Sequence, residues 1–531
     1  MKEAKVIYDK DFEIGEVDKR LFGSFVEHLG RCLYGGIYEP GHETADKNGF
    51  RQDVKDMIRE LGVTGIRYPG GNFVSGYNWK DGVGPREERP CRKDLAWNVT
   101  ETNEVGTNEF AALLKEMNVD MMMAVNLGTG TPREAGELVE YCNVPGGTYW
   151  SDKRREHGVE EPHDFKLWCL GNEMDGEWQI CMHTAEEYAR LCKETAKIVK
   201  WMDPSVETVA CGSCTNEQGH KPFGVWDQAV LEECYDYIDY LSLHRYFNYN
   251  PQKQLAYKMS ETEADIPFIF KDLQNYLDTI TGICDHVKGK RHSDKSVNIS
   301  FDEWGVITDT GAIPGCVSQE YGYASFKEID AVIYGGILCT FFNNADRVKI
   351  ACQSLLVNEG GMITTDPGGR AIRQTTFYPF QDAARYARGK ALRASAVLPV
   401  KETEHHGYQK SVVTACTYDG ESGEISVFVV NCDMEDDVSL TLELRSFGEL
   451  FSAGWRELYD DDPYAKNTFE DEFHIVPQDK NLPDPVNGKV SVTLKKHSWN
   501  VLRFGSREGR AVGNTEGVYL WIRKRCLDCA V

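Results

Sequence analysis

Apolar and polar positions follow one rhythm through most of this chain and a different one near its end. From Leu21 to about Leu356, short apolar runs stop at polar loops, and the loops lead into stretches with apolar residues three and four apart. Short apolar runs bounded by turn residues predict buried strands, and the 3.6-residue spacing predicts helices packed on them. Eight runs have the strand form: Leu21–His28, Val63–Tyr68, Asp120–Leu127, Phe165–Leu170, Glu207–Cys211, Tyr237–Tyr246, Ser296–Trp304 and a run within Ala351–Leu356. Helical spacing falls at Asp53–Leu61, Asn108–Met117, Thr131–Tyr141, Thr184–Met202, Phe268–His286 and Tyr323–Thr340. Thr184 with Glu187 three residues on is a capping box that opens one of these helices. Eight strand–helix units predict an α/β fold, a (β/α)8 TIM barrel over residues 20–390, with a doubly wound open sheet as the alternative.

From about Leu392 the helical period stops. Alternating segments at Lys410–Tyr418, Gly423–Asn431, Val438–Leu444, Lys489–Leu494 and Trp499–Phe504 predict a C-terminal all-β sandwich over residues 391–505. Residues 1–19 alternate weakly through Val6, Tyr8, Phe12 and Ile14, and are expected to add strands to that sandwich. The tail, 506–531, fits neither part.

Composition narrows the function. The chain has 531 residues, 41% hydrophobic and 27% charged, which is ordinary globular composition with room for more than one domain. Its 59 Lys+Arg against 84 Asp+Glu give a net charge of −25, which disfavours nucleic acid and anionic membranes as partners and favours a small neutral substrate. Met1–Lys10 has no apolar core of signal-peptide length, and no run approaches the roughly 20 residues of a membrane span. A cytoplasmic location is expected. The 17 cysteines are scattered and odd in number, and read as small buried hydrophobes. Two CxxC pairs, Cys211/Cys214 and Cys526/Cys529, permit a zinc site as the weaker reading. There is no Gly-x-Ser-x-Gly elbow, His-Glu-x-x-His helix or Walker loop.

The chemistry concentrates at two strand ends. Phe165–Leu170 runs into Gly171-Asn172-Glu173-Met174-Asp175-Gly176, and Val297–Phe301 runs into Asp302-Glu303-Trp304-Gly305. A buried strand end is a costly place for a charge, so a carboxylate there points to function. In a barrel both ends would open on one face, where Glu173 and Glu303 would form the carboxylate pair that glycoside hydrolysis requires.

Gly171–Gly176, Phe301–Trp304, Arg67-Tyr68-Pro69-Gly70-Gly71-Asn72 and Gly23-Ser24-Phe25-Val26-Glu27-His28 resemble the motifs of α-L-arabinofuranosidases of glycoside hydrolase family 51. The resemblance runs from about Leu21 to Phe504. It implies a barrel followed by a sandwich, retention of configuration, no metal or other cofactor, and commonly a hexamer. It also implies that Glu173 is the acid/base and Glu303 the nucleophile. Asn172 would bond the sugar 2-hydroxyl, and Tyr246 would position the nucleophile. Glu27, Asn72 and Gln353, at the ends of strands one, two and eight, would bind ring hydroxyls, with Arg67 as a supporting cation. Trp97 and Trp178 are candidate sugar-stacking platforms. His244 is read as a core histidine and left out of the site. The chain departs from the family at Gly305, where Asn is common, and in Leu356–Gly361, which is less apolar than usual. The expected activity is release of terminal α-L-arabinofuranosyl groups from arabino-oligosaccharides. The alternatives are another retaining glycosidase on this scaffold, such as an endo-β-glucanase, and a carbohydrate-binding protein without turnover.

Overall fold

The computed structural model of the chain describes residues 1–248, 265–307 and 324–506. Strands Gly23–Phe25, Gly65–Tyr68, Asp120–Val125, Leu167–Leu170, Glu207–Cys211, Tyr240–Phe247, Asn298–Val306 and Val348–Gln353 pair in chain order, all parallel. The eighth pairs back onto the first through Cys352–Gly23 and Gln353–Ser24, so the barrel is closed and the open-sheet alternative is excluded. The unbroken apolar run of strand four has this cause: all of Leu167–Leu170 are buried, as strands covered on both faces are.

Strand one is shorter than its apolar run. Asp18 accepts a hydrogen bond from the Arg20 amide and caps a single 3-10 turn, Lys19–Phe22, and the strand begins only at Gly23. A Cβ at Gly23 would stand 2.7 Å from the Ala351 carbonyl oxygen, so closure against strand eight needs glycine there. The capping box is present: Thr184 and Glu187 each bond the other's backbone amide, at 3.3 and 2.9 Å, ahead of helix Ala185–Met202.

Nine further strands form one continuous sheet. In spatial order they are Gln478–Lys480, Leu450–Leu458, Ser498–Ser506, Glu424–Asn431, Val412–Asp419, Lys390–Val397, Lys2–Glu16, Val438–Glu443 and Lys489–Leu494. Trp455 near one edge and Val492 at the other share a single apolar core with Val6, Val427 and Leu440. The sheet therefore folds over on itself. Lys2–Glu16 lies inside it, antiparallel to Lys390–Val397 and parallel to Val438–Glu443.

Helix Glu328–Phe342 joins the two layers and is buried along its whole length. Phe341 packs on Phe301 of the barrel, and Phe342 on Phe428 of the sheet. Burial on every side explains why this helix shows no polar stripe. Among the described residues no helix is long and apolar enough to cross a membrane. The tail beyond Ser506, with Cys526 and Cys529, lies outside the described residues, as does Tyr323 at the predicted start of the helix.

Candidate active site

The carboxyl ends of the barrel strands converge on a cluster of buried charge. Strand seven supplies two consecutive acids to it. Phe301 and Trp304 face outward, against Phe341 and Tyr334 of the long buried helix. Simple alternation would send Asp302 inward and Glu303 outward. A register irregularity between Ser300 and Glu303 intervenes, and both acids face the barrel interior. Bulges beside active sites re-aim side chains in this way.

Glu173 reaches the same space by another route. It stands just beyond strand four with φ +45°, a left-handed conformation that costs a non-glycine residue of order 1 kcal/mol, and the Gly176 amide closes the turn on its carbonyl at 2.8 Å. One carboxylate oxygen of Glu173, one of Glu303 and a ring nitrogen of His244 all lie within 4.8 Å of one another.

Arg67 on strand two organises the pair. Its Nη1 donates to Glu303 Oε1 and its Nη2 to Asn172 Oδ1, both at 2.7 Å, and its guanidinium lies over Phe25. Tyr246 donates to Glu303 Oε2 at 2.7 Å and sits equally close to Ser354 Oγ. Asn172 Nδ2 reaches Asn72 Oδ1 at 3.4 Å. Glu27 accepts from the Phe73 amide at 2.7 Å and from Trp97 Nε1 at 3.0 Å. Gly70, at φ +152°, lets the chain pass: a Cβ there would lie 2.7 Å from Glu27 Cγ.

Electrostatics divides these groups. Burial raises the Glu173 pKa, and the charge of Glu303 adds to it against the hydrogen bonds from His244 and Trp178. Burial pushes Glu27 up to about 8, helped by Glu303. Burial alone would lower His244, but the charge of Glu303 and the bonds to Asp302 and Glu173 outweigh it and carry the ring to about 10. Protonated His244 then donates Nδ1–H to Glu173 Oε1 at 2.9 Å and Nε2–H to Asp302 Oδ1 at 3.1 Å. Burial would raise Asp302 too, yet Arg67 and His244 hold it below the usual carboxylate range.

Seven of the eight anticipated residues therefore share one site: Glu27, Arg67, Asn72, Asn172, Glu173, Tyr246 and Glu303. Gln353 is the correction. It pairs with Trp304, is fully buried, and donates Nε2 to Tyr334 Oη and the Gly360 carbonyl on the helix side of the barrel. Ser354, the next residue, faces the site instead. The two tryptophans stand beside the acids, each donating its indole N–H to a carboxylate, Trp97 to Glu27 and Trp178 to Glu173 at 2.6 Å. His244, Asp302 and Ser354 were not anticipated. His244 carried a signal: it lies two residues before Tyr246, hence on the same face of strand six.

The Glu173–His244–Glu303 atoms are near enough to hold a cation, but both His244 nitrogens bond carboxylates and Arg67 bonds Glu303, which makes the set an ion-pair network. Cys211 and Cys214 do not act as a thiol pair. Cys211 Sγ contacts the Leu170 carbonyl at 3.5 Å, whereas Cys214 Sγ faces His220 at 3.9 Å.

Comparison with known proteins agrees with this geometry. The family model for the alpha-L-arabinofuranosidase 1 domain matches residues 57–263, and that for the alpha-L-arabinofuranosidase C-terminal domain matches residues 302–498. The chain is 44% identical to an intracellular exo-alpha-(1->5)-L-arabinofuranosidase of Bacillus subtilis, over 95% of this chain and 99% of that protein. It is 42% identical to an exo-alpha-(1->6)-L-arabinofuranosidase of Bifidobacterium longum, over 94% and 97% of the two chains. A solved family 51 alpha-L-arabinofuranosidase from Bifidobacterium longum, 38% identical, superimposes with a TM-score of 0.88, covering 95% of this chain and all of that one.

Proposed function

The chain belongs to the α-L-arabinofuranosidases of glycoside hydrolase family 51, and from that membership we propose that Glu303 is its nucleophile and Glu173 its acid and base. It is an exo-acting glycoside hydrolase that removes α-L-arabinofuranosyl groups, with the retention of configuration that the family implies. The observation that carries the retaining two-carboxylate reading is the closeness of the pair, which have oxygens within 4.8 Å of each other. Retaining enzymes hold this pair about 5–5.5 Å apart, and inverting enzymes hold it wider to admit a water.

The surroundings support these roles. Glu303 has one oxygen on Arg67 and the other on Tyr246, so both oxygens are held and the side chain is aimed. It attacks the anomeric carbon while Glu173, whose pKa burial and the charge of Glu303 raise, donates a proton to the departing oxygen. The new ester removes the charge on Glu303. One cause of the raised Glu173 pKa disappears with it, and Glu173 becomes the base that deprotonates water for the second displacement. Asn172 has its oxygen on Arg67, which leaves the amide N–H groups directed at Asn72 and the sugar 2-hydroxyl. Glu27 and Asn72 bind ring hydroxyls. His244 positions Glu173 without touching substrate.

Terminal groups on arabino-oligosaccharides are the proposed substrate. The relatives named intracellular support a cytoplasmic location, and a hexamer of chains is proposed from family resemblance. A panel of aryl glycosides tests the activity: hydrolysis of the α-L-arabinofuranoside is expected, and hydrolysis of a β-glucoside or cellulose in its place would favour the endo-glucanase reading. Linear 1,5-linked and 1,6-branched oligosaccharides separate the two linkages for which the relatives are named. A single-chain mass by light scattering would remove the hexamer.

A further inference from the structure

Asp175, Cys214 and His220 meet at a point beside the sugar-facing cluster that catalysis does not use. Asp175 lies in the turn after strand four. Cys214 and His220 lie in the loop between strand five and helix Val225–Cys234. Asp175 Oδ2 accepts from His220 Nε2 at 2.7 Å and from the Cys214 amide at 3.0 Å, and Cys214 Sγ lies 3.9 Å from the same Nε2. One ligand-type atom from each of the three residues lies within 4.8 Å of the other two.

A second observation points to an occupant. Asp175 is 2% exposed, and its Oδ1 is buried with no hydrogen-bond partner. A buried oxygen left so forfeits a stabilisation that buried polar groups almost always recover, and a bound ion is one way to recover it. The neighbourhood selects the sign of that ion. Glu173 acts electrostatically on Cys214, and Asp175 on the buried Asp227, so several acids surround the cluster.

We propose that Asp175, Cys214 and His220 form a site for a zinc-class divalent cation. One sulfur, one imidazole nitrogen and one carboxylate are donors that suit zinc, whereas calcium and magnesium take oxygen ligands. Tetrahedral zinc, with bonds of about 2.0–2.3 Å, sets its ligand atoms roughly 3.3–3.7 Å apart. The observed 2.7 Å contact must open and the 3.9 Å contact must close, each by less than an ångström, which side-chain rotation supplies. On binding, the Cys214 thiol proton goes to solvent. The His220 Nε2 proton passes through solvent to Nδ1 so that Nε2 can bind the metal, the Asp175 carboxylate turns to offer Oδ1 while Oδ2 keeps the Cys214 amide, and water fills the fourth position. Asp175 is two residues from Glu173 in one closed turn, so the cation would fasten the loop after strand five to the turn that carries the acid.

Cobalt(II) is the probe. The full chain, stripped with a chelator, is titrated with cobalt(II) and then zinc(II), and the thiolate-to-cobalt charge-transfer band is followed. A band that saturates at a single equivalent, is displaced by zinc and is unmoved by calcium is expected. Cys214→Ser should abolish the band while keeping the parent's metal-free rate on the aryl arabinofuranoside. His220→Gln should weaken binding tenfold or more. The Cys526→Ser/Cys529→Ser double variant should keep the band. No band in the parent, a band that survives Cys214→Ser, or a band lost only in the tail variant would overturn the site.

Discussion

Two buried carboxylates at the barrel mouth, Glu27 and Glu173, and one beside the nine-stranded sheet, Asp433, are treated in opposite ways. At the mouth Glu27, Glu173, Asp302 and Glu303 crowd around Arg67 and His244. Acids outnumber cations there, and Glu27 and Glu173 are pushed up. In the turn that joins sheet strands Glu424–Asn431 and Val438–Glu443, Asp433 is just as buried, yet it is held down at about 2. Burial alone would raise it, but Lys2 Nζ at 2.7 Å, Lys401 Nζ at 3.0 Å and backbone amides more than compensate. An acid with its own cations is a fastening. An acid that must share them binds its proton more tightly than an ordinary carboxyl, and so has one to give to a leaving group, which is what a glycosidase needs.

The largest test of this contrast is Glu303→Ala. It should lower kcat by about 10⁴-fold or more on an aryl arabinofuranoside, while urea midpoints stay at or above the parent's because a like charge has left the mouth. A parental rate would refute the nucleophile. Glu173→Ala should follow, slowing poor leaving groups by about 10²–10⁴-fold and activated aryl leaving groups much less. Equal slowing of both would contradict the acid role. Asp433→Ala should do the reverse, leaving kcat unchanged and costing of order 2 kcal/mol by denaturant titration, since two lysines lose a buried partner. A loss of activity without a loss of stability would break the contrast.

The pH dependences should also oppose each other. Asp433 has a folded pKa below its unfolded value, so its contribution is complete above about pH 4 and fades as the pH falls through about 2. Glu27 is the opposite case. Between its ordinary pKa and about 8 the folded state keeps a proton that the unfolded state has lost, so stability falls as the pH rises through that window. Glu27→Gln should therefore be of order 1–2 kcal/mol more stable than the parent near pH 8, no more stable near pH 4, and weaker in substrate binding. An equal gain at both pH values would remove burial of an ionisable group as the cause.

The barrel was legible because its strands are covered on both faces, which writes each as an unbroken apolar run ending in polar residues. The two glutamates were legible for the same reason: a carboxylate at the end of such a run stands out. Other features depend on facts that alternation cannot carry. Gln353 was misplaced because its facing follows from pairing with Trp304, and the linear pattern near a strand end does not give that parity. Asp302 was missed because only a bulge lets two adjacent acids face one way. His244 has the look of an isolated core histidine, although its spacing from Tyr246 places it inward. Helices Tyr149–Glu156, Val225–Cys234 and Phe377–Tyr386 went unread within long connections, and strand Leu450–Leu458 was hidden by its mixed polar and apolar residues.

The position of Lys2–Glu16 has a consequence for biogenesis. This segment is made before the barrel, yet its neighbours in the sheet are made only after the entire barrel has been translated. The barrel can collapse during synthesis, whereas this strand must wait, unmatched, for partners made after the barrel. Completion of the sheet is thus a late, long-range event. A nascent chain stalled just short of Val438 would carry a finished catalytic scaffold alongside an open β-edge exposed to aggregation.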